Sequence, residues 1–508
     1  MPVKEEEKQI RNLNIDFEGD KFVIPQDMDY NEAIMALTRQ RDQEMTYVSA
    51  QEKVNAFPLD GAVAFQKALK EKYGWANLVP THNFFGSNPP AMIGVEIAPN
   101  QTIQVPWGAC KVPKIDGTLT TGWTNHNDMP IFNLSANVKR MNEKAISELA
   151  ARVREIVATD SIYRGQAVKI NFRDRDGSQK IDFKPSFAPQ FMDLNKYNDQ
   201  KAVYSKITEQ MIDMYLFNPV IHSQKCRDNG IPLKRGVVLE GRFGTGKTLT
   251  AYGLAKTCVQ NGWTFLYVED VRDISLAMSF AKMYAPCVLF AEDVDRTIPI
   301  GSRSGEIDKI LNTFDGVESK DIEVITVLTT NNVNGIHPGF LRPGRIDTVI
   351  PVHAPDSDAM LRLVRHYAKT KSGDSIIEGT DEQIIAAISG LKGTNAAFVK
   401  EAVERSKLCA IEKPEMMISP EDLKKAIVSM GPQIKMVCPN AGEEKDSFDP
   451  EKDIMVDPLR LAGEIAIDTV VHAFMNKLLD PRSLQHIIMK GAKAAGGGSQ
   501  GDSPFSSN

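Results

Sequence analysis

One run limits this chain more than any other: Gly241-Arg242-Phe243-Gly244-Thr245-Gly246-Lys247-Thr248. It follows the apolar Val237-Val238-Leu239 and precedes Leu249-Thr250-Ala251-Tyr252-Gly253-Leu254-Ala255. The order is strand, glycine-rich turn, helix start, and the turn fits G-x-x-x-x-G-K-[ST]. Its glycines let backbone N–H groups converge on a phosphate chain without side-chain obstruction. The helix that begins near Lys247 adds unsatisfied N–H groups and its positive dipole end. Lys247 is suited to the β and γ phosphates, and the Thr248 hydroxyl to Mg²⁺. The expected nucleotide contacts are therefore Gly241, Arg242, Phe243, Gly244, Thr245, Gly246, Lys247, Thr248 and Leu249.

At 508 residues the chain exceeds one ordinary core. A net charge of −6 argues against a general affinity for nucleic acid, which needs clustered Lys and Arg. Between 139 and 176 nine basic residues face six acidic ones, which reads as a solvated helix face before a nucleic-acid surface. The six cysteines are scattered without a C-x-x-C pair, as expected of buried reduced thiols. The acidic Lys4-Glu5-Glu6-Glu7 start and the lack of a long apolar run predict a cytoplasmic protein without a membrane anchor. No H-E-x-x-H occurs, and the histidines show no metal-binding spacing.

Residues 28–75 are expected to be helical, broken at Pro58-Leu59-Asp60-Gly61. Ile93, Val95, Ile97 and then Ile103, Val105, Trp107 alternate across Pro99-Asn100-Gln101, a hairpin pattern. Val138, Met141, Ala145, Leu149, Val153 and Ile156 recur at helical spacing, and Val168, Ile170 and Phe172 at strand spacing. The stretch from Asp174 to Gln200 reads as turns and linker.

Beyond the phosphate loop, Thr264-Phe265-Leu266-Tyr267-Val268 reads as a strand. Ala285-Pro286-Cys287-Val288-Leu289-Phe290-Ala291 then runs, fully apolar, into Glu292-Asp293-Val294-Asp295. Such a run suits a strand buried on both faces of a parallel sheet, and acids at its carboxyl end lie where these sheets bind ligands. Beside a nucleoside triphosphate, one acid serves the metal and one the attacking water.

These features together resemble the AAA family of ring-forming ATPases. The resemblance is carried by the phosphate loop, the 285–295 strand, Leu311-Asn312-Thr313-Phe314-Asp315-Gly316-Val317, Val324–Asn331 and Leu341-Arg342-Pro343-Gly344-Arg345-Ile346-Asp347. It covers roughly residues 205–430 and implies ATP as substrate with Mg²⁺. It also implies catalysis at subunit interfaces of a homo-oligomeric ring, a hexamer by family habit. Asn331 matches the sensor that helps place the lytic water. Arg342 and Arg345 match arginine fingers that reach a neighbour's γ-phosphate, a contribution of about 10³–10⁵ in rate. Gly393 matches the turn where nucleotide meets the helical lid, although Thr394-Asn395 replaces the usual Ala-Asp.

Two departures matter. The family's strand ends Asp-Glu, whereas here Glu292 precedes Asp293. Glu292 and Asp293 thus share the metal and water roles with Thr248, and hydrolysis is expected to be slow unless the backbone compensates for the shorter Asp293. Second, the segment 269–284 lacks the family's aromatic-hydrophobic-glycine pore loop. Phe280 and Tyr284 are expected to be core residues.

The expected fold is an α/β P-loop ATPase. An N-terminal α+β domain spans 1–200, a large subdomain 201–354 and a helical lid 355–436. A linker with helices follows over 437–490, then a disordered tail over 491–508. The implied function is remodelling of a protein partner recognised through the N-terminal region. A nucleotide-gated scaffold ring, or a nucleic-acid-associated motor, are the alternatives.

Overall fold

The computed structural model describes residues 14–17, 20–24, 28–74, 81–83, 86–127, 129–173, 188–197, 202–297, 322–332, 345–370 and 372–438. Leu311–Val317, Arg342 and everything after Cys438 lie outside the described residues.

The N-terminal part is not one broken helical run. Helix α1 (Tyr30–Met45) opens with a capping box, in which Asp29 Oδ1 accepts from the N–H of Glu32 at 2.8 Å. The chain then becomes strand β1 (Tyr47–Val54), whose even-numbered residues face inward. Alternation in Tyr47-Val48-Ser49-Ala50 overrides the helical reading there, because the strand is completed by a partner distant in sequence. Pro58 does not break a helix but begins one, α2 (Pro58–Tyr73), where its missing N–H costs nothing.

The expected hairpin is present as β2 (Met92–Ala98) and β3 (Gln101–Pro106), with Val95 opposite Ile103. Strands β4 (Gly108–Cys110), β5 (Gly117–His126) and β6 (Met129–Lys139) join β1 in an antiparallel sheet ordered β1-β6-β5-β4. Helix α3 (Glu143–Thr159) begins later than its periodicity suggested. Val138 belongs to β6 and Met141 is exposed, while Ile146, Leu149, Ala150, Val153, Ile156 and Val157 form the buried stripe.

The second sheet starts earlier than residue 200. Strands β7 (Ala167–Ile170) and β8 (Gln190–Phe191) come from the stretch expected to be N-terminal domain and linker, yet both belong to it. The others are β9 (Arg235–Glu240), β10 (Thr264–Val268), β11 (Cys287–Ala291), β12 (Val324–Thr330) and β13 (Thr348–Pro351). The order is β8-β7-β10-β11-β12-β9-β13, and every pairing except β7 with β8 is parallel. Every residue of β11 and β12 is buried, as a sheet covered on both faces requires.

Helix α4 (Lys206–Ile212) leads into this part. Helix α5 (Lys247–Gln260) follows the phosphate loop, and α6 (Ile274–Met283) precedes β11. Helices α7 (Ser357–Tyr367), α8 (Asp381–Ala387), α9 (Ala396–Ala410) and α10 (Pro420–Val437) enclose a separate core, into which Val203 inserts.

The N-terminal part and the parallel sheet share one apolar core. At their junction Asp60 is buried and accepts from Ser161 Oγ at 2.7 Å, the Ile162 N–H at 3.0 Å and the Tyr284 hydroxyl at 3.0 Å. Tyr284 in turn accepts from the Phe57 N–H at 2.9 Å. Rings of Phe57, Tyr163, Phe280 and Tyr284 meet edge-on or tilted around this network. Phe280 and Tyr284 are both fully buried, so the segment before β11 spends its aromatics on core packing. Ion pairs occupy several basic residues of the stretch from 139: Lys139 with Asp116, Arg152 with Glu71, Arg154 with Glu52 and Arg173 with Asp273. All six cysteines are free. Among the described residues no helix is long and apolar enough to cross a membrane.

Candidate functional site

The site forms at the carboxyl ends of β9, β11 and β12, where parallel sheets present loops and helix starts to ligands. After Glu240 the chain turns through the phosphate loop, and Gly244 and Gly246 take φ of 74° and 104°. Only glycine holds such angles without strain, and Gly246 then caps α5. Lys247 is the first residue of that helix and is largely buried. Its Nζ donates to the Gly241 carbonyl, to Arg242 O at 3.1 Å and to Asn331 Oδ1 at 3.1 Å. Burial lowers the Lys247 pKa, against the raising effect of Asp293, Glu292 and Asp295.

The two adjacent acids point to different neighbours. Glu292 accepts from Thr248 Oγ1 at 2.6 Å through one oxygen and from the Tyr267 hydroxyl at 2.8 Å through the other. Burial, then Glu292, pushes the Tyr267 phenol pKa upward. Asp293 has φ of 53°, a left-handed conformation in which aspartate is tolerated better than most residues. Its N–H donates to Thr329 Oγ1 at 3.1 Å, and its Oδ1 accepts from Asn331 Nδ2 at 3.1 Å. Asp295 Oδ1 accepts from the Asn331 N–H at 3.3 Å. The backbone thus turns Asp293 away from the Thr248 side and toward the sensor position.

Thr248 and Glu292 bring two hard oxygen donors together, which fits a magnesium ion completed by phosphates and water. Among the described residues no group of three or more His, Cys, Asp or Glu could hold a metal unaided.

The lid reaches the loop through residues the sequence reading did not single out as contacts. Asn395 Nδ2 donates to Phe243 O at 2.8 Å, while its Oδ1 accepts from the Phe398 N–H at 3.2 Å and caps α9. The Ala397 N–H donates to Gly244 O at 3.3 Å. Gly393, with φ of 74°, lies in the turn just before. Tyr204 lies close to Gly246, where an added Cβ would come within 3.2 Å of its hydroxyl, which is also 2.6 Å from Thr250 Oγ1 of α5. Tyr267, near the carboxyl end of β10, reaches Glu292 only because β10 pairs with β11 in the folded sheet.

The backbone of Arg345 stands apart from this group. It lies against Gly236, where an added Cβ would come within 1.8 Å of Arg345 O. Gly236 is the second residue of β9, and the phosphate loop follows its last, Glu240. At about 3.3 Å per residue the two are roughly 16 Å apart along the strand. Arg342 lies outside the described residues.

Residues 237–354 match the model of the family described as ATPase family associated with various cellular activities (AAA). The chain is 30% identical to the 26S proteasome subunit RPT4 of Saccharomyces cerevisiae over 43% of its own length and 52% of that protein. It is 26% identical to an ATP-dependent zinc metalloprotease FtsH of Acholeplasma laidlawii over 59% of its length and 47% of that protein. A 26S proteasome regulatory subunit 4 homolog of Dictyostelium discoideum is 28% identical over 54% of the chain and 66% of that protein. The chain spans about half the length of the curated relatives it matches. With the strand order, the phosphate loop and the paired acids in one site, residues 237–354 form a domain that matches the AAA family of ATPases.

Proposed function

We propose that this chain binds and hydrolyses ATP with Mg²⁺ at the subunit interfaces of a homo-oligomeric ring, by family habit a hexamer. The cycle remodels a protein partner recognised through the N-terminal part. One observation carries the reading: Lys247, Thr248, Glu292, Asp293 and Asn331 converge at one end of the sheet. Lys247 neutralises the β and γ phosphates, and Thr248 and Glu292 hold the cation side. The cation, when bound, neutralises charge on the phosphate oxygens. Asp293 accepts the proton of the attacking water, which Asn331 orients from the same side. Arg345, with Arg342, serves the γ-phosphate of the next subunit, since it lies at the far end of β9 from its own loop.

Multiple-turnover phosphate release, with particle size measured with and without ATP, tests this. Wild-type protein should turn over and Lys247→Ala should not. A second reading is a nucleotide-gated scaffold with little turnover. It is favoured by α6, whose aromatics are buried against the N-terminal part rather than free to grip a polypeptide. Assembly that follows nucleotide binding without sustained release would select it.

A further inference from the structure

Glu292 is held in a way that its position in the chain does not require. Its two carboxylate oxygens accept from different donors, Thr248 Oγ1 at 2.6 Å and the Tyr267 hydroxyl at 2.8 Å. Tyr267 stands on β10, in register with Phe290 on β11, and its ring lies nearly parallel to that of Phe290, with 6.1 Å between centroids and 13° between planes. From the other side, Lys169 of β7 is in register with Tyr267 and places its ammonium 5.9 Å from the ring centroid. Lys169 is itself paired with Glu269. The tyrosine is therefore fixed between strands before it fixes anything else.

The consequence follows from side-chain length. A glutamate at the strand end has one more methylene than an aspartate and can sweep between the Thr248 side and the Asn331 side. A donor on each oxygen removes that freedom but leaves lone pairs for a cation, because a carboxylate has about four acceptor directions.

We propose that Tyr267 is a positioning residue that locks the Glu292 carboxylate onto the Thr248 side of the site, so that the cation meets Glu292 and the water meets Asp293. This rests on the nucleotide-site reading above and adds to it the device that makes the Glu-Asp order workable.

The test uses the full chain with Mn²⁺ and a non-hydrolysable ATP analogue. Bound Mn²⁺ is followed by electron paramagnetic resonance, and analogue binding in EDTA by fluorescence. Partners that orient a metal ligand typically contribute about 10–100-fold in metal affinity. Tyr267→Phe, which keeps the ring stacking, should weaken Mn²⁺ binding by roughly tenfold or more and leave EDTA binding unchanged. Glu292→Asp, too short to reach both donors, should weaken Mn²⁺ similarly, and the double variant should be no worse than Glu292→Asp alone. Unchanged Mn²⁺ affinity in Tyr267→Phe, or additive losses in the double variant, overturns the proposal while the nucleotide site stands. Should the wild type bind no analogue under either condition, the nucleotide reading itself fails and takes this role with it.

Discussion

At the residue scale, the backbone of Asp293, not its length, decides what it faces, and the proposed division of roles rests on that. In the left-handed conformation its carboxylate meets Asn331, while Glu292 stays with Thr248 and Tyr267. The acids should therefore fail differently when neutralised. Asp293→Asn is expected to lower kcat by roughly 10²–10⁴-fold with nucleotide binding retained, the range for loss of a general base. Glu292→Gln should instead raise the Mg²⁺ concentration needed for half-maximal turnover. Steady-state phosphate release against ATP and then Mg²⁺ distinguishes them, and equal loss of kcat in both with no change in Mg²⁺ demand would reject the division of roles. The sequence disclosed Lys247, Thr248 and the acid pair, since glycine spacing and an apolar run ending in acids are local signals. The φ of Asp293 and the grip of Tyr267 were hidden, because both depend on neighbouring strands that only the folded sheet brings together.

The end of α6 and the start of α2 meet as elements through Tyr284, which follows α6, and Asp60, residues far apart in the chain. Removing the hydroxyl in Tyr284→Phe leaves the buried Phe57 N–H without its acceptor and takes a donor from Asp60. A loss of about 1–3 kcal/mol is expected from urea denaturation. The loss should depend on pH in a defined direction. Burial raises the Asp60 pKa above 3.8, despite the donors that lower it. The folded chain thus holds this proton more tightly than the unfolded one, and stability falls as pH rises through that window. Losing a donor penalises the ionised form further, so the Tyr284→Phe defect should be larger at pH 8 than near pH 4. A defect independent of pH would show that Asp60 is not what the hydroxyl serves.

Elements with a self-contained period, such as the β2–β3 hairpin and α5, were legible from the chain. β1 was not, because its alternation is completed only by β6. β7 and β8 were assigned to the wrong part, since a short strand carries no mark of the sheet it will join.

For the whole molecule the deciding relation is between two ends of β9. Lys247→Ala and Arg345→Ala should each abolish turnover, the first by losing the phosphates and the second by losing the neighbour's cation. Mixed in equal amounts, they should recover part of it, because about one contact in four then joins an intact loop to an intact arginine in a randomly mixed ring. Mixtures as inactive as the separate variants would place Arg345 outside the reaction. The lid offers a second check. Asn395→Asp keeps the cap on α9 but turns a donor to Phe243 O into a repelling oxygen. It should weaken nucleotide binding without unfolding the lid, read by fluorescent-nucleotide titration alongside circular dichroism.

If Arg345 serves a neighbour's loop as proposed, that role limits how copies can be arranged. On the proposed role, the contact between copies joins two different surfaces, which a repeated head-to-tail arrangement can use in every copy. Stacking head to tail satisfies every copy only when the chain of contacts returns to its start; otherwise it grows as a filament. The angle between neighbouring copies, rather than the strength of any single contact, then decides between a bounded machine and an open polymer.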